Sequence, residues 1–307
     1  MKRRVVLGTR GSALARWQAD HVAGRLREAG HEVVVEVIRT TGDANAAAAL
    51  PELGGKAAFT KEIQEALLDG RIDIAVHSLK DVAVVPVPGL RVAAFPERAD
   101  ARDAWVSRDG RPFAELSQGD VVGTGSLRRR AQILHRFPGV SVEGIRGNVG
   151  TRLRRLREGD MTGIVLAMAG LHRLGLARAV TQALDPDLLL PSPGQGAIGI
   201  EARDEPGVDA LLGPLDHGAT RRAVTAERAL LARLEGGCLV PIGAWAVERG
   251  GGLHLDGLIA SPDGRRYVRR AASGAPGDGA ALGERLAETL LAEGGAEILA
   301  DLESGSP

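Results

Sequence analysis

The sequence predicts an α/β fold, with two α/β domains followed by a small α+β domain. Its 307 residues exceed what one ordinary hydrophobic core accommodates. Strand-like and helix-like segments alternate through the first half, stop at the charged stretch 96–103, and then start again. The C-terminal part instead groups its strand-like segments between two helices. These observations together predict the three domains.

The first domain is predicted from apolar, β-branched runs that alternate with segments of helical periodicity. We expect its strands at residues 5–8, 32–38, 71–76 and 90–95, and its helices at residues 13–28 and 60–68. Because strands that alternate with helices usually pair in parallel, this domain should contain a mostly parallel sheet covered by helices.

The second domain repeats this alternation. We expect strands at residues 121–123, 140–145 and 163–167, and helices at residues 127–137 and 149–157. Pro191, Pro193 and Gly194 then mark a crossing before an apolar run at residues 197–200. The chain is therefore expected to return to the first domain near residue 196.

The third domain begins with a helix at residues 221–234, which ends at Gly236-Gly237. Strands follow at residues 243–247, 253–259 and 266–270, with Asp263-Gly264 as a hairpin turn signal, and then a helix at residues 281–291. The expected domains are residues 1–97 with 196–214, residues 98–195, and residues 215–307.

Composition and charge argue against several classes of function. The formal net charge is 0, so no global field would steer the molecule onto a polyanion, and aromatic residues make up only 3%. The apolar run 5–7 is too short for a secretory signal, and no segment is long enough to span a bilayer. One cysteine fits a reducing compartment. We therefore expect a cytoplasmic protein without nucleic-acid or membrane partners.

Three predicted strand-to-helix junctions combine arginine with glycine and small hydrogen-bonding residues. They lie at residues 9–12 (TRGS), 124–129 (TGSLRR) and 146–148 (RGN). Helix N-termini attract anions, and arginine adds geometry that matches a carboxylate. Ordinary helix capping with a solvated arginine would explain any one junction alone. Three of them, with Thr151, Arg152 and Arg173 as further candidates, predict a cleft that binds several carboxylates.

The densest group of functional side chains follows the predicted third strand, at residues 77–81 (HSLKD). Asp81 is the candidate acid, which could stabilise a cation or transfer a proton; a helix cap or an ion pair with Lys80 is the alternative. Lys80 is one of four lysines, which are Lys2, Lys56, Lys61 and Lys80. Cys238, the single cysteine, is either a reactive thiol in a glycine-flanked loop or a small buried side chain.

Several common kinds of site have no motif in this sequence. There is no phosphate-binding G-x-x-x-x-G-K-[ST], and the GTGSLR run at 123–128 does not contain the third glycine of a dinucleotide fingerprint. No paired histidines or cysteines have the spacing of metal ligands, so no metal site is expected.

Read together, these motifs resemble those of the porphobilinogen deaminase family over nearly the whole chain. The matching stretches are Thr9-Arg10 with Ser12, Gly54-Gly55-Lys56 with Phe59 and Lys61-Glu62, residues 73–81 (DIAVHSLKD), Gly123-Thr124, residues 126–129 (SLRR), residues 146–152 (RGNVGTR), residues 169–171 (AGL) with 173–175 (RLG), residues 194–197 (GQGA), residues 199–201 (GIE), and residues 234–238 (LEGGC) with 241–243 (PIG).

The resemblance implies a cytosolic monomer whose first two domains share the fold of periplasmic binding proteins, with a central cleft. It implies that Cys238 carries a dipyrromethane cofactor through a thioether. It also implies that Asp81 assists the loss of ammonia from porphobilinogen and stabilises the resulting azafulvenium cation. Four porphobilinogens would join head to tail before water releases hydroxymethylbilane, for tetrapyrrole biosynthesis.

The resemblance also assigns the binding residues. Beside Asp81 as catalytic acid, it implies cofactor contacts from Cys238, Lys80, Asp81, Thr124, Ser126, Arg128, Arg129, Arg146 and Gly147. It implies substrate contacts from Arg10, Ser12, Gln18, Lys56, Lys61, Arg152, Arg173 and Gln195. Since each pyrrole brings an acetate and a propionate, these cations fit the carboxylate-binding cleft that the junctions predict.

Some positions depart from the family pattern without removing a catalytic group. Ala83 stands where a proline is common, Gly125 where a serine is usual, and Ala57-Ala58 where the family has Gly-Leu. The main alternative is a binding protein for small polyanions on the same scaffold; a nucleic-acid-binding protein is a more distant one. Consumption of porphobilinogen separates the enzyme from both.

Overall fold

The computed structural model describes residues 3–41, 60–234 and 240–304. The chain divides into two compact units, Met1–Ala99 with Gly196–Arg221, and Asp100–Gln195 with Arg222–Pro307. The three-domain boundaries expected from the sequence stay a prediction. No helix in the described part of the chain is long and apolar enough to cross a membrane.

The first unit contains a five-stranded sheet in the order β2-β1-β3-β10-β4. Its strands are β1 Arg4–Thr9, β2 Glu32–Val37, β3 Ile74–Ser78, β4 Leu90–Ala94 and β10 Ile198–Arg203. Strand β1 pairs in parallel with β2 and β3, whereas β10 is antiparallel to β3 and β4. The helices of this unit are α1 Ala13–Glu28, α2 Lys61–Leu68 and α6 Val208–Leu212, and α7 Gly218–Arg233 begins here.

The core of the first unit follows from its sequence pattern. The strands supply β-branched side chains such as Val5 and Ile74, and α1 presents Val22, Ala23 and Leu26 to them, all buried. This packing fixes the point at which β1 runs into α1, and that point forms one side of the candidate site.

The second unit contains a sheet of matching order, β7-β6-β8-β5-β9. Its strands are β5 Asp103–Ser107, β6 Val121–Gly123, β7 Ser141–Glu143, β8 Gly163–Ala167 and β9 Gln182–Leu184, and its helices are α3 Leu127–Arg136, α4 Val149–Glu158 and α5 Met168–Arg173. Strand β6 is parallel to β7 and β8, and β5 is antiparallel to β8 and β9. In both sheets the fourth strand in the order is therefore the antiparallel one.

The second unit also holds an antiparallel sheet in the order β11-β12-β13. Its strands are β11 Ile242–Arg249, β12 Gly252–Ala260 and β13 Tyr267–Gly274. Helices α8 Gly279–Leu290 and α9 Ala296–Glu303 follow, separated by a kink at Glu293 and Gly294, where Gly294 has φ +112°. The predicted fold class, two α/β parts with an α+β C-terminal part, is confirmed.

The predicted hairpin turn between β12 and β13 is confirmed. Gly264 has φ +73°, and a Cβ built on it would lie 2.3 Å from the Ala131 carbonyl oxygen. Only glycine therefore allows the turn to approach α3 this closely. The neighbouring contacts reinforce the approach, because His135 hydrogen-bonds to Gly264 at 3.0 Å and its ring stacks on Tyr267 with centroids 4.0 Å apart.

Some elements differ from the prediction. The charged stretch at residues 96–103 was expected to be irregular, but its last residue, Asp103, begins strand β5. Strand β9 was not predicted, and the third strand lies at Ile74–Ser78 rather than at residues 71–76. Helix α7 begins at Gly218, before the expected start at residue 221.

Candidate active site

A pocket in the first unit lies where β1 runs into α1 and where β3 ends. The side chains of β1, α1 and β3 converge there because these neighbouring strands are parallel and end at the same edge of the sheet. The pocket is lined by Arg10, Ser12, Leu14, Ala15, Gln18, Thr60, Val76, His77, Ser78 and Asp81. Of the predicted site residues, this part of the chain thus brings together Arg10, Ser12, Gln18 and Asp81.

Asp81 is held at the edge of this pocket by a short turn. β3 ends at Ser78 and a 3₁₀ turn, Leu79–Asp81, follows, with the Val82 N–H donating to the Leu79 carbonyl at 3.1 Å. Leu79 is buried, whereas Lys80 and Asp81 are half-buried. The buried leucine anchors the turn, and Asp81 at its end lines the pocket.

The first junction is a capped helix start. The Ser12 side chain accepts a hydrogen bond from the Ala15 N–H at 3.3 Å, as capping predicts. Further along α1, Gln18 is 1% exposed, and its Nε2 donates to Ser78 Oγ at 2.9 Å. Gln18 thereby joins α1 to the end of β3, next to Asp81.

A buried polar network, which was not predicted from the sequence, adjoins the pocket through His77. His77 Nε2 is 3.1 Å from Glu201 Oε2, and Gln64 Nε2 donates to Glu201 Oε1 at 2.9 Å. His77, Glu201 and Gln64 lie on β3, β10 and α2, so the network joins three elements around the pocket. Its members are far apart in sequence, and spacing alone gave no signal for it.

The two remaining junctions lie in the second unit and are also capped helix starts. Ser126 accepts from the Arg129 N–H at 3.4 Å, and Asn148 accepts from the Thr151 N–H at 2.9 Å. Thr124 Oγ1 accepts from the Ser126 N–H at 3.2 Å. Capping is therefore part of what these small residues do.

Arg128 and Arg129, at the start of α3, converge on a fully buried carboxylate, Asp103. Arg128 Nη2 lies 2.9 Å from one carboxylate oxygen and Arg129 Nη2 lies 2.7 Å from the other. Burial alone would raise the pKa of Asp103, but the charges of Arg128 and Arg129 outweigh it and hold the pKa well below its usual value. The carboxylate is thus charged, and it shares its charge between two arginines.

Arg152 and Arg173 are half-buried arginines in the same unit. Burial and the charge of nearby Arg129 lower the pKa of Arg152 to about 10, and burial lowers that of Arg173 to about 10. Both side chains stay charged at neutral pH. A bound carboxylate would relieve the desolvation of such guanidinium groups, so their environment favours an anionic ligand.

The other predicted binding residues differ in their exposure and in their contacts. Arg146 and Lys61 are exposed, and Gly147 has φ +103° before α4. Gln195 is 1% exposed, and its Nε2 donates to Asp103 Oδ1 at 2.8 Å. The predicted cofactor-anchoring residue Cys238 and substrate-binding residue Lys56 lie outside the described residues.

Asp103, like Glu201 and Gln64, was not predicted from the sequence. It belongs to a charged stretch that was expected to be irregular, although the run Ala-Trp-Val that follows it is a short strand signal. Among the described residues, no group of three or more His, Cys, Asp or Glu side chains is placed to hold a metal ion.

Two family models match this chain. One describes the dipyrromethane cofactor binding domain of porphobilinogen deaminase and matches residues 5–208, and the other describes the C-terminal domain of porphobilinogen deaminase and matches residues 221–292. Together they cover most of the sequence.

Porphobilinogen deaminases also match this chain over nearly their whole length. A porphobilinogen deaminase of Methylobacillus flagellatus is 47% identical over 97% of this chain and 97% of its own length. One of Syntrophotalea carbinolica is 48% identical over 97% of this chain and 95% of its own length. Among solved structures, the methionine binding protein MetQ is similar with a TM-score of 0.44 and 14% identity, over 69% of this chain and 89% of that protein.

Proposed function

The chain belongs to the porphobilinogen deaminase family, and we propose that Asp81 is the catalytic acid of the family's reaction in this protein. The activity is the conversion of porphobilinogen to hydroxymethylbilane for tetrapyrrole biosynthesis, carried out with a dipyrromethane cofactor. The observation that carries the assignment of Asp81 is that this residue lines the same pocket as Arg10 and Ser12.

Asp81 has a chemical role that an isolated carboxylate can perform. Loss of ammonia from the aminomethyl group of porphobilinogen requires a proton on the departing nitrogen and leaves positive charge on the adjoining carbon. A carboxylic acid can donate that proton, and its conjugate base can then stabilise the positive charge. The turn Leu79–Asp81 supports this role, because it places Asp81 in the lining of a pocket.

The cations bind the carboxylates of the substrate and of the growing chain. We assign substrate binding to Arg10, Ser12, Gln18, Lys56, Lys61, Arg152, Arg173 and Gln195. In the first unit, Arg10 and Ser12 line the pocket beside Asp81, so a porphobilinogen carboxylate bound there would orient the aminomethyl group. In the second unit, the half-buried guanidinium groups of Arg152 and Arg173 offer charge-assisted hydrogen bonds to further carboxylates.

The described residues fit a cofactor that carries acetate and propionate groups. Arg128 and Arg129 share the single carboxylate of Asp103, so their cluster has one more positive charge than negative. We assign cofactor binding to Lys80, Asp81, Thr124, Ser126, Arg128, Arg129, Arg146 and Gly147, and thioether attachment to Cys238. When bound, the cofactor supplies the pyrrole carbon to which the first porphobilinogen is joined.

Intact mass spectrometry tests the attachment site. The purified wild-type protein should be heavier than its chain by one dipyrromethane, and Cys238→Ala protein should have the mass of the bare chain. Wild-type protein with the bare mass would contradict attachment at Cys238. Incubation with porphobilinogen tests the activity independently, because an enzyme consumes the compound and generates a product that oxidises to uroporphyrin, whereas a binding protein leaves it unchanged.

We further propose that the protein acts as a monomer in the cytoplasm. A single cysteine supports a reducing compartment, since thiols stay reduced there. Light scattering should give a mass near that of one chain, 32.0 kDa. A mass of twice this value at assay concentrations would contradict the monomer.

A further inference from the structure

Asp103 is a buried charged residue with no assigned part in the reaction. It is the first residue of β5, and its side chain is 0% exposed. Burying a carboxylate is costly unless charged partners and hydrogen bonds replace its hydration. The groups that surround Asp103 therefore indicate what keeps it there.

Both oxygens of Asp103 are engaged. Oδ1 accepts from Arg129 Nη2 at 2.7 Å and from Gln195 Nε2 at 2.8 Å, while Oδ2 accepts from Arg128 Nη2 at 2.9 Å. At the other end of each guanidinium group, Arg129 Nη1 donates to the Val165 carbonyl at 2.8 Å and Arg128 Nη1 donates to the Leu190 carbonyl. Each guanidinium plane is therefore fixed at two points.

This arrangement does not follow from the helix itself. Arg128 and Arg129 are consecutive in α3, and consecutive residues of a helix point in different directions. Two guanidinium groups brought together would also repel each other. Asp103 balances that repulsion and gives both side chains a common acceptor.

The cluster retains a capacity to bind an anion. Its charges are two positive and one negative, and Arg152 adds a further positive charge close enough to affect Arg129. Arg128 Nε is buried and has no hydrogen-bond partner among the residues that the structure describes. Since buried donors are normally satisfied, this unpaired N–H adds to the uncompensated positive charge of the cluster.

We infer that Asp103 is a positioning residue that orients Arg128 and Arg129 to bind carboxylates of the dipyrromethane cofactor and the growing chain. The inference rests on the proposed function of these two arginines. Asp103 is fully buried and acts through their guanidinium groups, and Gln195 donates to its Oδ1.

The same cluster is tied to the helix that precedes the proposed attachment residue. The N–H of Gly194, next to Gln195, donates to Glu227 Oε2 at 2.7 Å, and the Ala246 N–H donates to Glu227 Oε1 at 2.7 Å. Glu227 is 0% exposed and lies on α7, and Cys238 follows this helix by a few residues in the sequence. Gln195 and its neighbour Gly194 therefore connect the arginine cluster to α7, the helix that precedes Cys238 in the sequence.

The test uses Asp103→Asn in the full chain, with Asp120→Asn as a matched control. Asp120 is another aspartate of this unit, it accepts from Arg111 Nη2 at 2.7 Å, and it lies outside the proposed binding residues. Both variants should lower the unfolding temperature. Only Asp103→Asn should reduce the fraction of chains that carry the cofactor, measured by intact mass, and raise the KM for porphobilinogen in the loaded fraction by at least about tenfold, with a smaller change in kcat.

A second variant covers the case in which Asp103→Asn does not fold. Gln195→Met keeps the Asp103–arginine contacts but removes one donor to Asp103. Because Gln195 is itself assigned to substrate binding, the decisive readout for this variant is the fraction of chains that carry the cofactor, which should fall below that of the wild type. The positioning role would be overturned if folded Asp103→Asn carried the cofactor to the wild-type extent and had the wild-type KM, or if Gln195→Met carried the cofactor to the wild-type extent. It would also be overturned if Asp120→Asn changed the cofactor-carrying fraction and the KM as much as Asp103→Asn does. Failure of the proposed function itself would be distinct, because the wild-type protein would then neither carry added mass nor consume porphobilinogen.

Discussion

Glu201 and Asp103 occupy corresponding places in the two α/β sheets. Each lies on the antiparallel strand that is fourth in its sheet, β10 in the first and β5 in the second, and each is buried. Their partners differ. Glu201 contacts a histidine and an amide, whereas Asp103 contacts two arginines and an amide.

These different partners give the two carboxylates different chemical surroundings, although the two sheets have the same arrangement of strands. A histidine and a glutamine can satisfy a buried carboxylate without bringing a permanent charge, so the network beside the first pocket is mainly structural. Two arginines around one carboxylate leave a surplus positive charge, which favours an acidic ligand. We therefore expect the first unit to control the reaction at Asp81, the proposed acid, beside its own substrate-binding residues, and the buried arginine pair of the second unit to act on binding alone.

The largest expected effect is that of Asp81→Asn. Removal of the proposed catalytic acid should lower kcat by roughly a hundred- to ten-thousand-fold, since positioned acids and bases contribute on that scale. Asp73→Asn is a suitable control, because Asp73 precedes the same strand and accepts a hydrogen bond from the Val6 N–H at 2.7 Å outside the pocket. Porphobilinogen consumption gives both rates. Wild-type turnover in Asp81→Asn would show that the first unit does not control the reaction through this residue.

The next effect concerns binding in the second unit. Arg152→Gln should raise the KM by about tenfold to a hundredfold, because a charge-assisted hydrogen bond contributes about 1.5–3 kcal/mol. Arg154→Gln on the same helix is the control, since its side chain is 62% exposed and pairs with Glu158 at 3.8 Å. Initial rates over a range of porphobilinogen concentrations measure the KM. Equal KM values for the two variants would refute a binding role for Arg152.

The smallest effect is expected for Glu201→Gln. The replacement keeps the shape of the side chain but exchanges one carboxylate oxygen, which contacts Gln64 or His77, for an NH2 group that donates. The free energy of unfolding should therefore fall by roughly 1–3 kcal/mol. The KM for porphobilinogen should stay near the wild-type value. Urea unfolding and steady-state kinetics measure the two quantities. A large KM increase would show that the buried carboxylates of the two sheets have the same role.

The sequence predicted those features that depend on local patterns. Alternating strands and helices gave the fold class, and residues such as Ser12, Ser126 and Asn148 marked helix starts that the structure has at those positions. The pocket position of Asp81 followed from its place after a buried strand, because strand ends line the edge of a parallel sheet.

Features that depend on distant contacts were not predictable in this way. Strand β5 was missed because its first residue is charged, and that charge is accommodated by Arg128, Arg129 and Gln195, which lie 25, 26 and 92 residues further along. Glu201 similarly meets His77 at a separation of 124 residues. Neither partnership leaves a periodic signal in the sequence.

Steady-state kinetics of Asp81→Asn and Asp103→Asn, measured side by side on chains that carry the cofactor, test the division between the two units most directly. This division predicts that Asp81→Asn loses kcat with little change in KM, and that Asp103→Asn raises the KM with a smaller change in kcat. Loss of the same kinetic parameter in both variants would contradict it.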